Sequence, residues 1–164
     1  MELESYIGKP TGAGTIHVER GSVSRFAHGV TDANPVYHDL RVAKEEGFTT
    51  PPLPPTWTFA SPFLGTFPED QPEDPTGGKG NPMMKIMGSL MESGGLVLHG
   101  EQEFRYHQSV QCGDVLHWEG KITDIYTKES KGKTMTFIVM ETVFKNEDSE
   151  PVVTEIFNLI HRST

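Results

Sequence analysis

Residues Phe26 to Phe48, FAHGVTDANPVYHDLRVAKEEGF, hold an apolar helical stripe, a turn crowded with polar side chains and a second short helical run. Val23, Phe26, Ala27 and Val30 recur at the three- and four-residue spacing of one helix face. This helix is expected to stop near Thr31, because the proline of Asn34-Pro35 disfavours helical backbone in the residue before it. Asp39 then offers a side-chain oxygen as N-cap of a new helix, with Val42 and Ala43 facing inward and Gly47 closing it. Between the helices, Asp32, Asn34, Tyr37 and His38 lie on a loop whose ends are fixed by packed elements, a common place for chemistry. Asp-x-Asn-Pro is equally an ordinary turn signal, since both side chains bond their own backbone.

Outward from this stretch, residues 1–15 contain Gly8, Pro10, Gly12 and Gly14 and read as an irregular lead-in. Ile16 to Glu19 reads as a first strand. On the other side, TTPPLPP (Thr49–Pro55) excludes a central strand and favours an extended segment. Thr56 to Phe67 carries Trp57, Phe59, Phe63, Leu64 and Phe67 and reads as a helix that Pro62 shortens or kinks. Phe67 to Pro82, with acidic pairs, prolines and glycines, has little to bury and reads as an exposed excursion dispensable for folding. Met83, Met84, Met87 and Met91 follow at helical spacing; methionine there suits either core packing or a flexible aliphatic ligand.

From Leu96 the period changes to two. Four strands are expected: one through Glu101–His107, one from His117 to about Lys128, Lys133 to Lys145, and Val152 to Arg162. Gly132 and the Asn146–Ser149 cluster supply turns, so sequential antiparallel pairing is expected. Helices first and an antiparallel sheet after make an α+β arrangement.

The segment TDANPVYHDLRVAKEEGF resembles the hydratase motif of MaoC-like (R)-specific enoyl-thioester hydratases and dehydratases, of the form Asp-x-Asn-Pro-x-His-x-Asp. LHGEQEFRYHQSVQCGD (Leu98–Asp114) is similar to the strand after the central helix in two-subunit fatty-acyl dehydratases. The likeness runs from about Ile16 to His161. It implies a single hot-dog domain over residues 1–164, a long sheet wrapped around one central helix, with Thr56 to Phe67 as that helix. It also implies dimers, with an acyl-CoA or acyl-carrier-protein thioester site at their interface, in fatty acid metabolism.

Position by position, Asp32 matches the family's Asp and Asn34 its Asn. The family's catalytic His falls on Tyr37, with His38 one residue later. The downstream register, in which Asp39 and Ala43 match the cap and first buried alanine, makes Tyr37 a substitution. Tyrosine has a reference pKa of about 10 against about 6.5 for His, so Tyr37 is a poor general base near neutrality. Asp32, Asn34, Tyr37 and His38 are the catalytic candidates. Pro35, Thr56 and Trp57 are the candidate substrate contacts, the last two through amides that would polarise the thioester carbonyl. His99, His107 and His117 read as strand-surface or packed residues.

Four functions remain open at this point: a subunit whose missing His comes from a second hot-dog chain; a homodimeric enzyme using Asp32 with His38 or Tyr37; a non-catalytic acyl-thioester-binding or scaffold protein; and a thioesterase. The composition narrows the field elsewhere. A chain of 164 residues with a formal net charge of −9 and no basic run is a poor nucleic-acid binder. An anionic thioester would need a local basic patch, for which Arg25, Arg41, Lys44, Lys85 and Arg105 are sources. No apolar run spans a bilayer, MELESYIGKP lacks signal-peptide features, and the single Cys112 fits a reducing compartment, so a cytoplasmic protein is expected. No metal-ligand spacing, phosphate-binding glycine loop or cofactor motif is present.

Overall fold

The computed structural model describes residues 2–92 and 94–164. Five antiparallel strands form one sheet: β1 (Pro10–His17), β2 (Leu96–Tyr106), β3 (Val115–Ser130), β4 (Lys133–Lys145) and β5 (Pro151–Arg162), ordered β1-β3-β4-β5-β2. Four α-helices accompany it: α1 (Arg20–Gly29), α2 (Leu40–Glu45), α3 (Trp57–Ala60) and α4 (Pro82–Glu92). The α+β class expected from the sequence is the class observed.

Three expectations need correction. The lead-in is not irregular, because β1 begins at Pro10 rather than Ile16. Its glycines belong there: Trp118 on β3 lies across Gly12 and Gly14, where a Cβ would run into the indole. Pairing is sequential only for β3, β4 and β5, whereas β2 crosses over to lie beside β5. The β2–β3 connection therefore links two strands separated in the sheet, which local turn signals cannot reveal.

The third correction concerns the central helix. Thr56 to Phe67 is not one buried helix: α3 is four residues long, a 3-10 turn over Ser61–Phe63 follows it, and Phe63 is 85% exposed. Pro62 removes a backbone donor and ends the α-helical ladder. Burial is shared between α3 and the longer α4, whose inward residues are Ile86 and Met87. Two core clusters result. Trp57 packs with Ile16, Val23, Leu116, Phe144 and Val153; Ile86 and Met87 pack with Ile122, Ile125 and Ile138. Met84, by contrast, is exposed, so the methionine stripe is core on one side only.

α1, α2 and the turn between them form as the sequence indicates. Val23 and Ala27 are fully buried, Asp39 Oδ1 accepts from the Arg41 and Val42 N–H groups, and Ala43 is buried. These contacts fix both ends of the polar loop. No helix among the described residues is long and apolar enough to cross a membrane.

Candidate functional site

The loop after α1 is built from backbone satisfaction. Thr31 takes a left-handed conformation at φ 60°, and the Asp32 N–H returns to the Ala27 carbonyl at 2.8 Å. Asp32 Oδ1 accepts from the Asn34 N–H at 3.0 Å, and Asn34 Oδ1 accepts from the Val36 N–H at 3.1 Å. Each motif side chain thus spends one oxygen on the turn. Asp32 Oδ2 and Asn34 Nδ2 make no hydrogen bond among the described residues.

Tyr37 and His38 point different ways. Tyr37 is half-buried, packs against the Trp57 cluster and lines a cavity of about 640 Å³. Asn34, Val36, Thr56, Thr58, Tyr106 and Val153 share that lining. His38 does not line it. Its Nδ1 pairs with Ser24 Oγ at 2.8 Å, its Nε2 lies 3.4 Å from the main-chain oxygen of Asp32, and its ring sits 4.1 Å from that of His28. Arg20 donates to the His38 carbonyl at 3.1 Å. Helix α1 therefore holds the imidazole, and Tyr37 occupies the cavity-facing position.

Burial, with the charge of Asp32 adding to it, pushes the Tyr37 hydroxyl above its ordinary range. The Tyr37 hydroxyl therefore stays protonated at physiological pH. Thr56, also in the cavity lining, likewise adopts left-handed backbone, at φ 66°. Its N–H donates to the Tyr106 hydroxyl at 3.2 Å, and the Trp57 N–H donates to the Pro54 carbonyl at 3.2 Å. Both amides singled out from the sequence have intramolecular partners here. Pro35 opens the 3-10 turn that carries Val36 and Tyr37.

Sequence reasoning missed Tyr106, Thr58 and Glu155. Tyr106 alternates with Arg105 and His107 along the strand, but nothing local ties it to Thr56, fifty positions away in the chain. Glu155 is buried on β5 with Oε1 unpartnered; burial pushes its carboxyl up to about 7, partly opposed by the Thr58 hydroxyl. Within VVTEIF it reads as a surface residue.

Of the other histidines singled out from the sequence, His107 lines the same cavity as Tyr37 and pairs with Thr154, His117 pairs with Thr15, and His99 packs against Phe59 and Phe157. Burial raises the Cys112 thiol, so it is not an activated nucleophile. Among the described residues no three His, Cys, Asp or Glu side chains are grouped to hold a metal. Of the basic residues, Arg41 pairs with Glu45 and Arg105 with Glu103, while Lys85 joins Lys9 and Lys79 around a separate cavity of about 300 Å³.

Comparison with known proteins supplies the wider frame. Residues 5–155 match the family described as FAS1-like, dehydratase domain region. A UPF0336 protein of Thermobifida fusca is 32% identical over 145 residues, 88% of this chain and 83% of the relative. A UPF0336 protein of Streptomyces avermitilis is 31% identical over 163 residues, 98% of this chain and 95% of the relative. Among solved structures, the fold is similar to the ChsH1-ChsH2 complex of Mycobacterium tuberculosis, with TM-score 0.70 and 21% identity over 92% of this chain and 83% of that one. It is also similar to the truncated HadBC 3R-hydroxyacyl-ACP dehydratase complex of the same organism, with TM-score 0.63 and 16% identity over 93% of this chain and 96% of that one. These structures establish the hot-dog fold for the chain.

Proposed function

The chain belongs to the FAS1-like dehydratase-region family, of MaoC-like hot-dog architecture, and from that premise we propose that it is one subunit of an (R)-specific enoyl-thioester hydratase or 3-hydroxyacyl-thioester dehydratase. Its cavity takes the acyl thioester of coenzyme A or a carrier protein, and a second hot-dog subunit completes the chemistry. The observation that carries this reading is the opposite orientation of Tyr37 and His38. A cavity is present, yet the imidazole next to it in sequence is held by Ser24 and His28.

Hydration adds water to the β-carbon and a proton to the α-carbon of the enoyl group, while negative charge develops on the thioester oxygen. It needs a base for water, an acid for carbon and donors for the oxyanion. In this chain Asn34 Nδ2 is a donor, the Tyr37 hydroxyl shapes and polarises the cavity, and the free Oδ2 of Asp32, which lies outside the lining of the isolated chain's cavity, becomes the water-orienting group when the partner completes the site. The acid–base imidazole is left to the partner. Strand β2 bonds only β5 within the sheet, so its outer edge offers main-chain groups for a second copy or a homologous subunit.

The same orientation favours a second reading, a non-catalytic acyl-thioester-binding protein. One experiment separates the two. Crotonyl-CoA hydration is measured for the chain alone and after mixing with a hot-dog protein carrying an intact Asp-x-Asn-Pro-x-His motif. Activity only in the mixture supports the subunit; thioester binding with no activity in either supports the scaffold. Full activity of the chain alone overturns both.

A further inference from the structure

Lys9, Lys79 and Lys85 come from three separate segments and line one cavity of about 300 Å³, which shares no residue with the cavity that Tyr37 lines. Lys9 precedes β1, just after a 3-10 turn over Leu3–Tyr6. Lys79 lies in the loop Thr76-Gly77-Gly78-Lys79-Gly80, and Lys85 stands near the start of α4. Tyr6, Thr76 and Pro82 share the lining, and no described Asp or Glu does. Lys121 and Lys145 each pair with a glutamate; among the described residues none of these three lysines pairs with a carboxylate. Lys9 Nζ lies 4.1 Å from the centre of the Tyr6 ring, a contact that holds the ammonium without neutralising it. The chain as a whole carries a formal net charge of −9, so this wall runs against its general sign.

The backbone under each lysine is fixed. The Gly8 N–H donates to the Ile122 carbonyl at 2.8 Å, and the Ile122 N–H returns to the Lys9 carbonyl at 3.0 Å. In the loop, Asp74 Oδ2 accepts from the Gly78 N–H and from the Thr76 hydroxyl, and Thr76 Oγ1 accepts from the Gly80 N–H. The one carboxylate of this loop is thus turned into its own backbone. Asn81 Oδ1 accepts from the Met83 N–H at 2.9 Å at the head of α4, and Ile86 anchors that helix in the core. These main-chain donors are spent within the protein, so recognition falls to the ammonium groups. Three like charges around one cavity repel, and a cation near a helix start opposes the helix dipole. Neither placement serves the fold, and a bound anion would reverse both effects.

We propose that this cavity binds the phosphate monoester group of a small molecule, held by Lys9, Lys79 and Lys85. A phosphate monoester carries nearly two negative charges on three terminal oxygens, one for each ammonium. A carboxylate offers one charge and two oxygens. Lysine suits the task because it binds phosphate as a compact point charge with rotatable donors. The cavity is at the small end of the range for small-molecule sites, with room for a phosphate and the atoms next to it but not for a folded partner. Two sources carry this chemistry: the 3′-phosphate of a coenzyme A thioester, or a separate phosphorylated metabolite. The first source rests on the thioester reading above; the phosphate site does not.

The test follows backbone amides by NMR while the purified chain is titrated with inorganic phosphate at about pH 7.5, where phosphate is mostly dianionic. Sodium chloride at matched ionic strength is the control. Saturable shifts are expected from Thr76 to Lys85 and around Lys9. Lys9→Gln, Lys79→Gln and Lys85→Gln should each weaken binding about 5- to 10-fold, as loss of one charge-assisted hydrogen bond at a site open to water does. Lys131→Gln, in the β3–β4 turn, removes the same charge elsewhere and should leave affinity within about twofold. All three cavity lysines are exposed, so the fold tolerates glutamine; should Lys9→Gln fail to fold, Lys9→Arg, which keeps the charge, should retain binding. Shifts that do not saturate, or an equal loss in Lys131→Gln, overturn the site. Calorimetry with crotonyl-CoA and its 3′-dephospho form then identifies the source. If coenzyme A supplies the phosphate, the dephospho form binds more weakly, and Lys79→Gln weakens crotonyl-CoA but not the dephospho form. If a separate metabolite supplies it, the two thioesters bind alike and saturating crotonyl-CoA leaves the phosphate shifts in place. Phosphate binding with no crotonyl-CoA binding overturns the thioester reading and leaves this site standing.

Discussion

The side-chain amide of Gln71 clamps the backbone of Thr15: Nε2 donates to the Thr15 carbonyl and Oε1 accepts from the Thr15 N–H, each at 3.1 Å. Thr15 sits on β1, which pairs only with β3, so the amide fills the place a neighbouring strand would take. Gln71 Nε2 also reaches the Phe67 carbonyl at 3.0 Å, and Asp70 pairs with His17 at 2.7 Å. Phe67 to Gln71, the start of an otherwise largely exposed segment, is therefore tied to the β1 edge.

Gln71→Ala should cost about 1–2 kcal/mol, since two backbone hydrogen bonds at a strand edge are lost. Urea denaturation measures the cost. Removal of residues 67–82 should also increase self-association through the uncovered β1 edge, measurable by sedimentation. A shortened chain that stays equally stable and equally monodisperse would show that the edge needs no cover.

His38→Ala should leave partner-dependent hydration within about threefold of wild type, because the ring serves α1 and not the cavity; its cost is a fold contact worth about 1 kcal/mol. Tyr37→His should instead give the isolated chain activity it lacked, by about 10²-fold over background for a positioned acid or base. Crotonyl-CoA kinetics decide both. Loss of all activity in His38→Ala alone would place the imidazole in the chemistry.

Glu155 ties stability to pH. Its carboxyl is raised from 4.5 to about 7 on folding, so the folded state binds more protons than the unfolded chain between those values. The contribution is whole below the ordinary carboxyl range and is lost as pH rises toward neutrality, by about 3 kcal/mol at roughly 1.4 kcal/mol per pKa unit. Glu155→Gln should remove this slope from the difference between denaturation curves at acid and neutral pH. A variant with the wild-type slope would place the titrating group elsewhere.

Ile86→Ala should destabilise by about 2–5 kcal/mol, as truncation of a fully buried side chain does. Phe63→Ser, at an exposed turn, should change the stability of the isolated chain by no more than about 0.5 kcal/mol. Thermal or urea unfolding of the pair tests whether α4, and not the end of the Thr56–Phe67 segment, holds the core.

The sequence by itself determined what short-range physics controls. The apolar spacing of Val23 and Ala27 made α1 and the Asp39 side chain capped α2, because each signal acts within one or two turns of chain, whereas α1 stops at Gly29 ahead of a left-handed Thr31, short of the Asn34-Pro35 step. Alternation and turn residues likewise placed β4 and most of β3 and β5. The motif assigned Tyr37 to the family's histidine position for a similar reason: loop register is set by adjacent caps. Tertiary structure decided the rest. Strand order cannot be read from turns when β2 leaves β3 for β5, and the division of the central helix depended on which of two apolar segments met the sheet. The same holds at the site. Tyr106 meets Thr56, Gln71 meets Thr15, and Glu155 loses its water only after segments far apart in the chain pack together. A carboxyl's solvation and an amide's partner are properties of that packing, and no local pattern encodes them.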